Sequence, residues 1–198
     1  MIDAAVAAIE AGEPVIIPTD TVYGLATNPE REEAVARLYR VKGRAARQPT
    51  ALVAADLEAL FERIPELRES PAVRALLPGP FTLVLPNAAE RYPWLAGERP
   101  DAIGIRVPAL TGPGREVLDR VRAVVATSAN FPGGRDPRTV DDVPPEIRDR
   151  CAAVVDAGEL PGVASTVVDL TAAEPRVLRE GAVPAAEVVE RVRAAGAG

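Results

Sequence analysis

Two hydroxyls, a carboxylate and a phenol crowd into Pro18-Thr19-Asp20-Thr21-Val22-Tyr23-Gly24. The stretch directly follows an apolar run ending at Ile17, so it is placed at a strand end, where α/β sheets commonly bind ligands. Its donors and acceptors suit a polar zwitterion, and they equally suit an Asx-type turn in which Thr and Asp satisfy the local backbone. Lys42-Gly43-Arg44, with Arg40 and Arg47 beside it, combines a lysine point charge with guanidinium forks, which is phosphate-binding chemistry. The dipole of the helix ahead of it favours cations there by roughly 0.3–1 kcal/mol whatever their function. Ala126-Thr127-Ser128-Ala129-Asn130 ends another apolar run. Its Ser and Asn side chains can meet a phosphate, a ribose or a base edge, or cap the loop that follows. Ser165-Thr166-Val167-Val168-Asp169 and Arg179-Glu180-Gly181 add hydroxyls and a further guanidinium. Arg106 interrupts the apolar run Ile103-Gly104-Ile105-Arg106-Val107-Pro108, and a charge drawn inside needs a partner such as a carboxylate.

Absences narrow the chemistry. There is no histidine, which removes Ser-His-Asp hydrolysis, Cys-His nucleophiles and histidine-ligated zinc. A lone cysteine, Cys151, excludes an internal disulfide and a thiolate metal cage, and fits a reducing cytoplasm. Neither a Walker-type glycine loop nor a dinucleotide glycine fingerprint occurs, so a nucleotide would be held in another way. No run of about 18 apolar residues suggests a membrane span. Of the 23 basic residues only Lys42 is a lysine. The net charge of −6 argues against a protein that coats nucleic acid with its whole surface.

The elements that must position these groups follow from periodicity. Residues 2–11 read as a helix, 14–17 as a buried strand, and 31–41 as a helix with Ala34, Val35, Leu38 and Tyr39 on one face. A strand at 51–54 leads to Asp56 as N-cap of a helix carrying Leu57, Leu60 and Phe61. A short helix near 71–77, strands at 81–85 and 103–107, a helix near 113–122 and a strand at 123–127 come next. The Gly/Pro/Asp-rich stretch 131–146 reads as a long loop. Strands at 153–156, 165–170 and 176–179 and a helix at 184–195 close the chain. Some strands follow one another too closely for a crossover helix, so the fold class is α/β with a largely mixed sheet, in one domain over 1–198.

The order of the motifs is more specific than any one of them. Pro-Thr-Asp-Thr-Val-Tyr-Gly-Leu, Lys-Gly-Arg, Pro78-Gly79-Pro80-Phe81-Thr82, Ile105-Arg106-Val107-Pro108, Ser128-Ala129-Asn130, Ser165-Thr166-Val167 and Arg179-Glu180-Gly181 occur in that sequence. Together they resemble the YrdC-like threonylcarbamoyl-adenylate synthase family over about residues 4–183. The resemblance implies a twisted mixed sheet flanked by helices, with an open, positively charged groove. It also implies a nucleotidyl transfer in which L-threonine, bicarbonate or carbon dioxide, and ATP give threonylcarbamoyl-adenylate and pyrophosphate. Lys42, Arg44, Gln48, Ser128, Asn130 and Arg179 would then hold ATP, with Lys42 and Arg44 as the catalytic cations. Thr21, Arg106, Ser165 and the Ala126 backbone would hold threonine. Magnesium would accompany the triphosphate, and the implied partner is the transferase that modifies the adenosine beside the tRNA anticodon.

The chain departs from that pattern at Leu52-Val53-Ala54-Ala55, where many relatives carry a histidine, and at Gln48, where Asn is common. Pro-Phe-Thr-Leu-Val-Leu and Arg-Glu-Gly lean toward the YciO-like paralogues. The competing class is a module that binds RNA or nucleotide without turnover. Arginine richness favours it, and the acidic net charge and the scarcity of stacking aromatics oppose it. The synthase reading predicts that Arg44→Ala and Arg106→Ala each abolish adenylate formation and leave the fold intact. Wild-type-like turnover of either purified variant at saturating substrates would reject its assignment.

Overall fold

The computed structural model describes residues 1–43 and 48–196. Helix α1 (Ile2–Ala11) ends at Gly12, whose positive φ of 81° closes the last turn. Strands β1 (Val15–Pro18) and β2 (Tyr23–Thr27) form an antiparallel hairpin. Helix α2 (Glu32–Lys42) follows, with the sequence-expected Ala34, Val35, Leu38 and Tyr39 among its buried residues. Strand β3 (Ala51–Ala54) leads into α3 (Leu57–Arg63), whose N-cap Asp56 accepts a hydrogen bond from Ala59 N at 2.7 Å. Then come α4 (Pro71–Leu76), β4 (Phe81–Pro86), β5 (Ala102–Arg106), α5 (Gly112–Val121) and β6 (Ala123–Ser128). The chain closes with α6 (Pro145–Arg148), β7 (Ala153–Val154), β8 (Thr166–Asp169), β9 (Arg176–Arg179) and α7 (Ala185–Gly196).

The strands make one sheet in the order β7-β1-β2-β6-β3-β5-β4-β8-β9. It is mixed, as expected: β1 with β7, β3 with β5 and β4 with β8 are parallel pairs, and the remaining pairs are antiparallel. On one face Leu25, Leu52, Leu83, Ile103, Ile105 and Val125 are all but inaccessible and belong to the hydrophobic core. Helix α1 packs against α5, α2 against β2, and α4 against α7.

The structure differs from the sequence reading in two places. Strand β2 was not expected, because Tyr-Gly-Leu-Ala-Thr has no polar–apolar alternation and its Gly and Ala are depleted in strands. All five of its residues are buried, and its position is set by pairing on both sides with β1 and β6. The stretch 131–146 is not wholly irregular either. It holds a 3₁₀ turn, Val140–Asp142, started by a Thr139/Asp142 capping box, and then α6.

Asp56 also pairs with Arg122 at 3.0 Å. The Ala59 N–H bond foremost, with Arg122, holds its carboxyl below the ordinary carboxylate value. Its contribution to stability is therefore present above the unfolded-state pKa and is lost as pH falls through the lower folded value. Asp56→Ala is expected to cost about 1–2 kcal/mol at neutral pH, and the gap to wild type should narrow in acid, as read from denaturant midpoints.

Candidate functional site

Residues on the second face of the sheet alternate with the core residues, as a pleated strand requires, and they are small. Gly24, Ala51, Ala102, Gly104 and Ala126 face a cavity of about 370 Å³, joined by Val53, Val84 and Val167. A β-carbon on Gly104 would stand 3.5 Å from the Ala51 backbone. The cavity is thus a trough floored by backbone and methyl groups.

Polar groups rim this floor. Strands β2 and β5 are separated in the sheet by β6 and β3. The turn before β2 nevertheless meets the end of β5, so the sheet is curled. Arg106 Nη2 donates to Asp20 Oδ1 and, at 2.7 Å, to Thr21 Oγ1. Asp20 Oδ2 accepts from Ala109 N at 3.0 Å, so both carboxylate oxygens are held. The two charged side chains are only 11% and 9% exposed. Burial lowers the pKa of the Arg106 guanidinium against the pull of Asp20, and the nearby Arg179 charge adds to that lowering. Guanidinium groups nonetheless stay protonated. Arg106 Nε is buried without a hydrogen-bond partner.

The other wall is built by the Ser165 segment. Arg179 Nη2 donates to Ser165 O at 2.8 Å and lies 3.3 Å from Ser165 Oγ, which pairs with Thr82 Oγ1 at 2.8 Å. No carboxylate pairs with Arg179 among the described residues. Gly181 explains the close docking of this edge, since a β-carbon there would fall 2.2 Å from Ala164 O. The segment between β7 and β8 is tied down by Tyr23, whose hydroxyl lies 2.9 Å from Asp156 Oδ1 and 2.8 Å from Gly158 O. Gly162 N donates to Thr21 O at 2.8 Å.

At the end of β6, Lys42 is buried at 4% exposure. Its ammonium donates to Ser128 O and Asn130 Oδ1, both at 2.6 Å, and lies 3.3 Å from Ser128 Oγ. Asn130 Nδ2 donates to Gly134 O at 2.8 Å and Arg135 O at 3.1 Å, which fixes its amide orientation. Gly43, with φ 65°, ends α2 and lets the chain turn away.

Of the residues expected from sequence, Thr21, Arg106, Ala126, Ser128, Ser165 and Arg179 line the one cavity. Lys42 and Asn130 stand behind Ser128 and reach the cavity through it. Gln48 is exposed and lies next to the lining residues Pro49 and Thr50. Arg44 lies outside the described residues. The carboxylate partner that a strand arginine drawn inside requires is Asp20 of this chain. Asp20 sat unassigned inside the first motif, and its adjacency to Thr21 was the available signal. Thr82 and Arg99 also line the cavity. Arg99, which nothing in its local sequence singles out, is tethered to Asp169 and Thr171 at 3.1 Å each.

Comparison with known proteins places the chain among relatives of the same fold. The family profile Sua5/YciO/YrdC, described as "Telomere recombination", matches residues 7–181. The threonylcarbamoyl-AMP synthase of Pyrococcus abyssi is 38% identical over 184 residues, covering 91% of this chain and 54% of that protein. The chain thus spans about half the length of that relative. The threonylcarbamoyl-AMP synthase of Stenotrophomonas maltophilia is 33% identical over 187 residues, covering 90% of this chain and 97% of that one. The crystal structure of P. abyssi Sua5 complexed with L-threonine superposes with a TM-score of 0.83 at 33% identity, over 96% of this chain and 56% of that chain.

The Asp20 pairing changes what Arg106→Ala should do. Deleting one partner strands the other as a buried charge, which costs about 3–5 kcal/mol. Arg106→Ala is therefore expected to lower the denaturant midpoint as well as activity, in contrast to the intact fold expected from sequence. An unchanged midpoint would show that Asp20 is solvated once Arg106 is gone.

Proposed function

Because the chain belongs to the Sua5/YciO/YrdC family, we propose that it makes threonylcarbamoyl-AMP and pyrophosphate from L-threonine, bicarbonate or carbon dioxide, and ATP. The observation that carries this reading is the single trough with a hydroxyl–guanidinium pair, Thr21 and Arg106, on one part of its rim and Ser128, Ser165 and Arg179 on others. Arg106 suits the α-carboxylate of threonine, and Thr21 and Ser165 suit its amine and hydroxyl. Ser128, backed by Lys42 and Asn130, and Arg179 suit the nucleotide phosphates. Arg44 and Gln48 join the phosphate set on the strength of their motif.

The chemistry asks for little beyond placement. The α-amine and bicarbonate give a carbamate and water, and a carbamate oxygen then attacks the α-phosphorus of ATP with pyrophosphate leaving. Both partners of the second step are anions, so fixed cations around a largely apolar floor lower the cost of bringing them together, and co-binding makes the attack effectively unimolecular. Neither step calls for histidine. Among the described residues no group of three or more acidic or thiol side chains is arranged to hold a metal. Magnesium would enter with the ATP substrate, held mainly by phosphate and water oxygens, and would supply positive charge to the triphosphate.

A mixed acyl-phosphate product is labile, which suits direct hand-over to a tRNA-modifying threonylcarbamoyl transferase in the cytoplasm. No helix of the described residues is long and apolar enough to cross a membrane. The purified chain is expected to release pyrophosphate from ATP only when L-threonine and bicarbonate are both present. Serine and valine should support it far less well. Steeply salt-dependent RNA binding without threonine-dependent pyrophosphate release would replace this reading with the binding-module one.

A further inference from the structure

Arg106 and Arg179 reach the trough from strand ends, whereas Arg99 reaches it from the link between β4 and β5. The backbone closes that link: Arg99 N donates to Ala96 O at 3.2 Å, and Arg99 O accepts from Ala102 N at 3.0 Å. From there the side chain crosses toward β8, on the far side of β4. Nη1 donates to Asp169 Oδ2 and Nη2 to Thr171 Oγ1, both at 3.1 Å. Asp169 is set in turn, its Oδ1 accepting from Thr171 N at 2.9 Å and from Thr171 Oγ1 at 2.6 Å. Burial would raise the pKa of the Asp169 carboxyl, but the Thr171 bonds and Arg99 outweigh it and hold it below the ordinary carboxylate value. The Arg99 guanidinium is thus aimed, yet its side chain is 48% exposed. Among the described residues no acceptor takes its remaining N–H donors.

Register locates this guanidinium relative to Arg106. Val84 pairs with Gly104 on β5 and with Asp169 on β8, so these residues stand side by side, and Gly104 and Val84 line the trough. Leu83 pairs with Ile105, which puts Arg106 in the row of Thr82. Asp169 is therefore two strands across and two residues along from Arg106. Over the sheet this is roughly 12 Å, at about 4.8 Å per strand and 3.3 Å per residue. An in-line displacement at the α-phosphorus sends the pyrophosphate away from the attacking carbamate. With the threonine carboxylate on Arg106, covalent bonds of about 1.5 Å and an attack distance of about 3–3.5 Å set the γ-phosphorus roughly 10–13 Å away. The two lengths agree.

We propose that Arg99 binds the β- and γ-phosphates of ATP, and the pyrophosphate they become, with its guanidinium fork aimed by Asp169 and Thr171. This inference rests on the proposed synthesis of the adenylate with threonine at Arg106. Arg179 faces the same edge of the trough, since it pairs with Val167, two residues from Asp169. A diphosphate there meets one guanidinium without a carboxylate partner among the described residues, Arg179, and one whose orientation is already fixed, Arg99. The bland alternative is a strap, in which Arg99 only ties the β4–β5 link to the sheet edge. A strap of exposed charge contributes little to stability and does not distinguish one ligand from another.

The test compares wild type with Arg99→Ala and Arg99→Lys in the presence of magnesium. KM for ATP and for L-threonine are read from ATP consumption, the Kd of pyrophosphate and of AMP from calorimetry, and folding from thermal midpoints. AMP is the control because it lacks the terminal phosphates. Phosphate binding at Arg99 predicts that R99A raises KM for ATP and the Kd of pyrophosphate about tenfold or more, the scale of a hydrogen bond to a charged group. KM for threonine and the Kd of AMP should stay within about twofold on that scale. R99K keeps the charge but not the fork, and should weaken pyrophosphate binding by about threefold or more. An unchanged pyrophosphate Kd in R99A overturns the proposal, and equal rises in all these constants reduce Arg99 to a strap. R99K binding pyrophosphate as wild type does overturns the role of the aimed fork, and R99K decides the matter if R99A does not fold. Wild type without threonine-dependent turnover would remove the functional reading itself, whereas active wild type with an indifferent R99A removes only this inference.

Discussion

A buried guanidinium must have a counter-charge, and in this protein meeting that requirement bends the sheet around its cavity. Arg106 ends β5, while Asp20 belongs to the turn between β1 and β2, with β6 and β3 lying between them in the sheet. Leaving either charge unpaired at this burial would cost several kcal/mol, so the pair forms only if the two parts of the sheet approach each other. That approach makes a trough from what would otherwise be an open face. The same contact brings Thr21 onto the rim beside Arg106 and leads Gly162 onto the turn, which carries the chain on toward Ser165.

The floor of the trough depends on side chains that are missing. A sheet face left uncovered by helices would usually carry polar side chains against water. Here it carries Gly24, Ala51, Ala102, Gly104 and Ala126, which leave room for a ligand and offer it an apolar surface. Charge is confined to the rim and is anchored there: Arg179 by the Ser165 carbonyl, Arg99 by Asp169, and Lys42 by Ser128 and Asn130. Preorganised cations of this kind reorganise little when anions arrive, the condition under which electrostatic stabilisation of a reacting phosphate is most effective. The absence of histidine from the chain is consistent with a reaction driven by placement.

Sequence reasoning reached most elements because local signals and tertiary demands coincide there. Asp56 caps α3 as its position suggests, and the apolar stripe of α2 is the buried one. It missed β2, whose Gly and Ala carry no strand signal and whose geometry comes from its two neighbours. The motifs were legible as polar strand ends, but their mutual placement was not. Asp20 and Arg106 stand 86 residues apart, and no local pattern links a turn carboxylate to a strand arginine. The same holds for Lys42 and Ser128. The turn reading of Thr19 is the one its contacts show: its hydroxyl donates to Val22 O and accepts from the Thr21 and Val22 backbone N–H groups.

The most direct test of the trough as an amino-acid and nucleotide site is a crystal structure of the chain with L-threonine and a non-hydrolysable ATP analogue. The threonine carboxylate should lie against Arg106 with the amine on Thr21 Oγ1, and the phosphates should lie beside Ser128 and Arg179. Threonine bound outside the trough, or turned so that its carboxylate meets Thr21 and its amine faces Arg106, would contradict it.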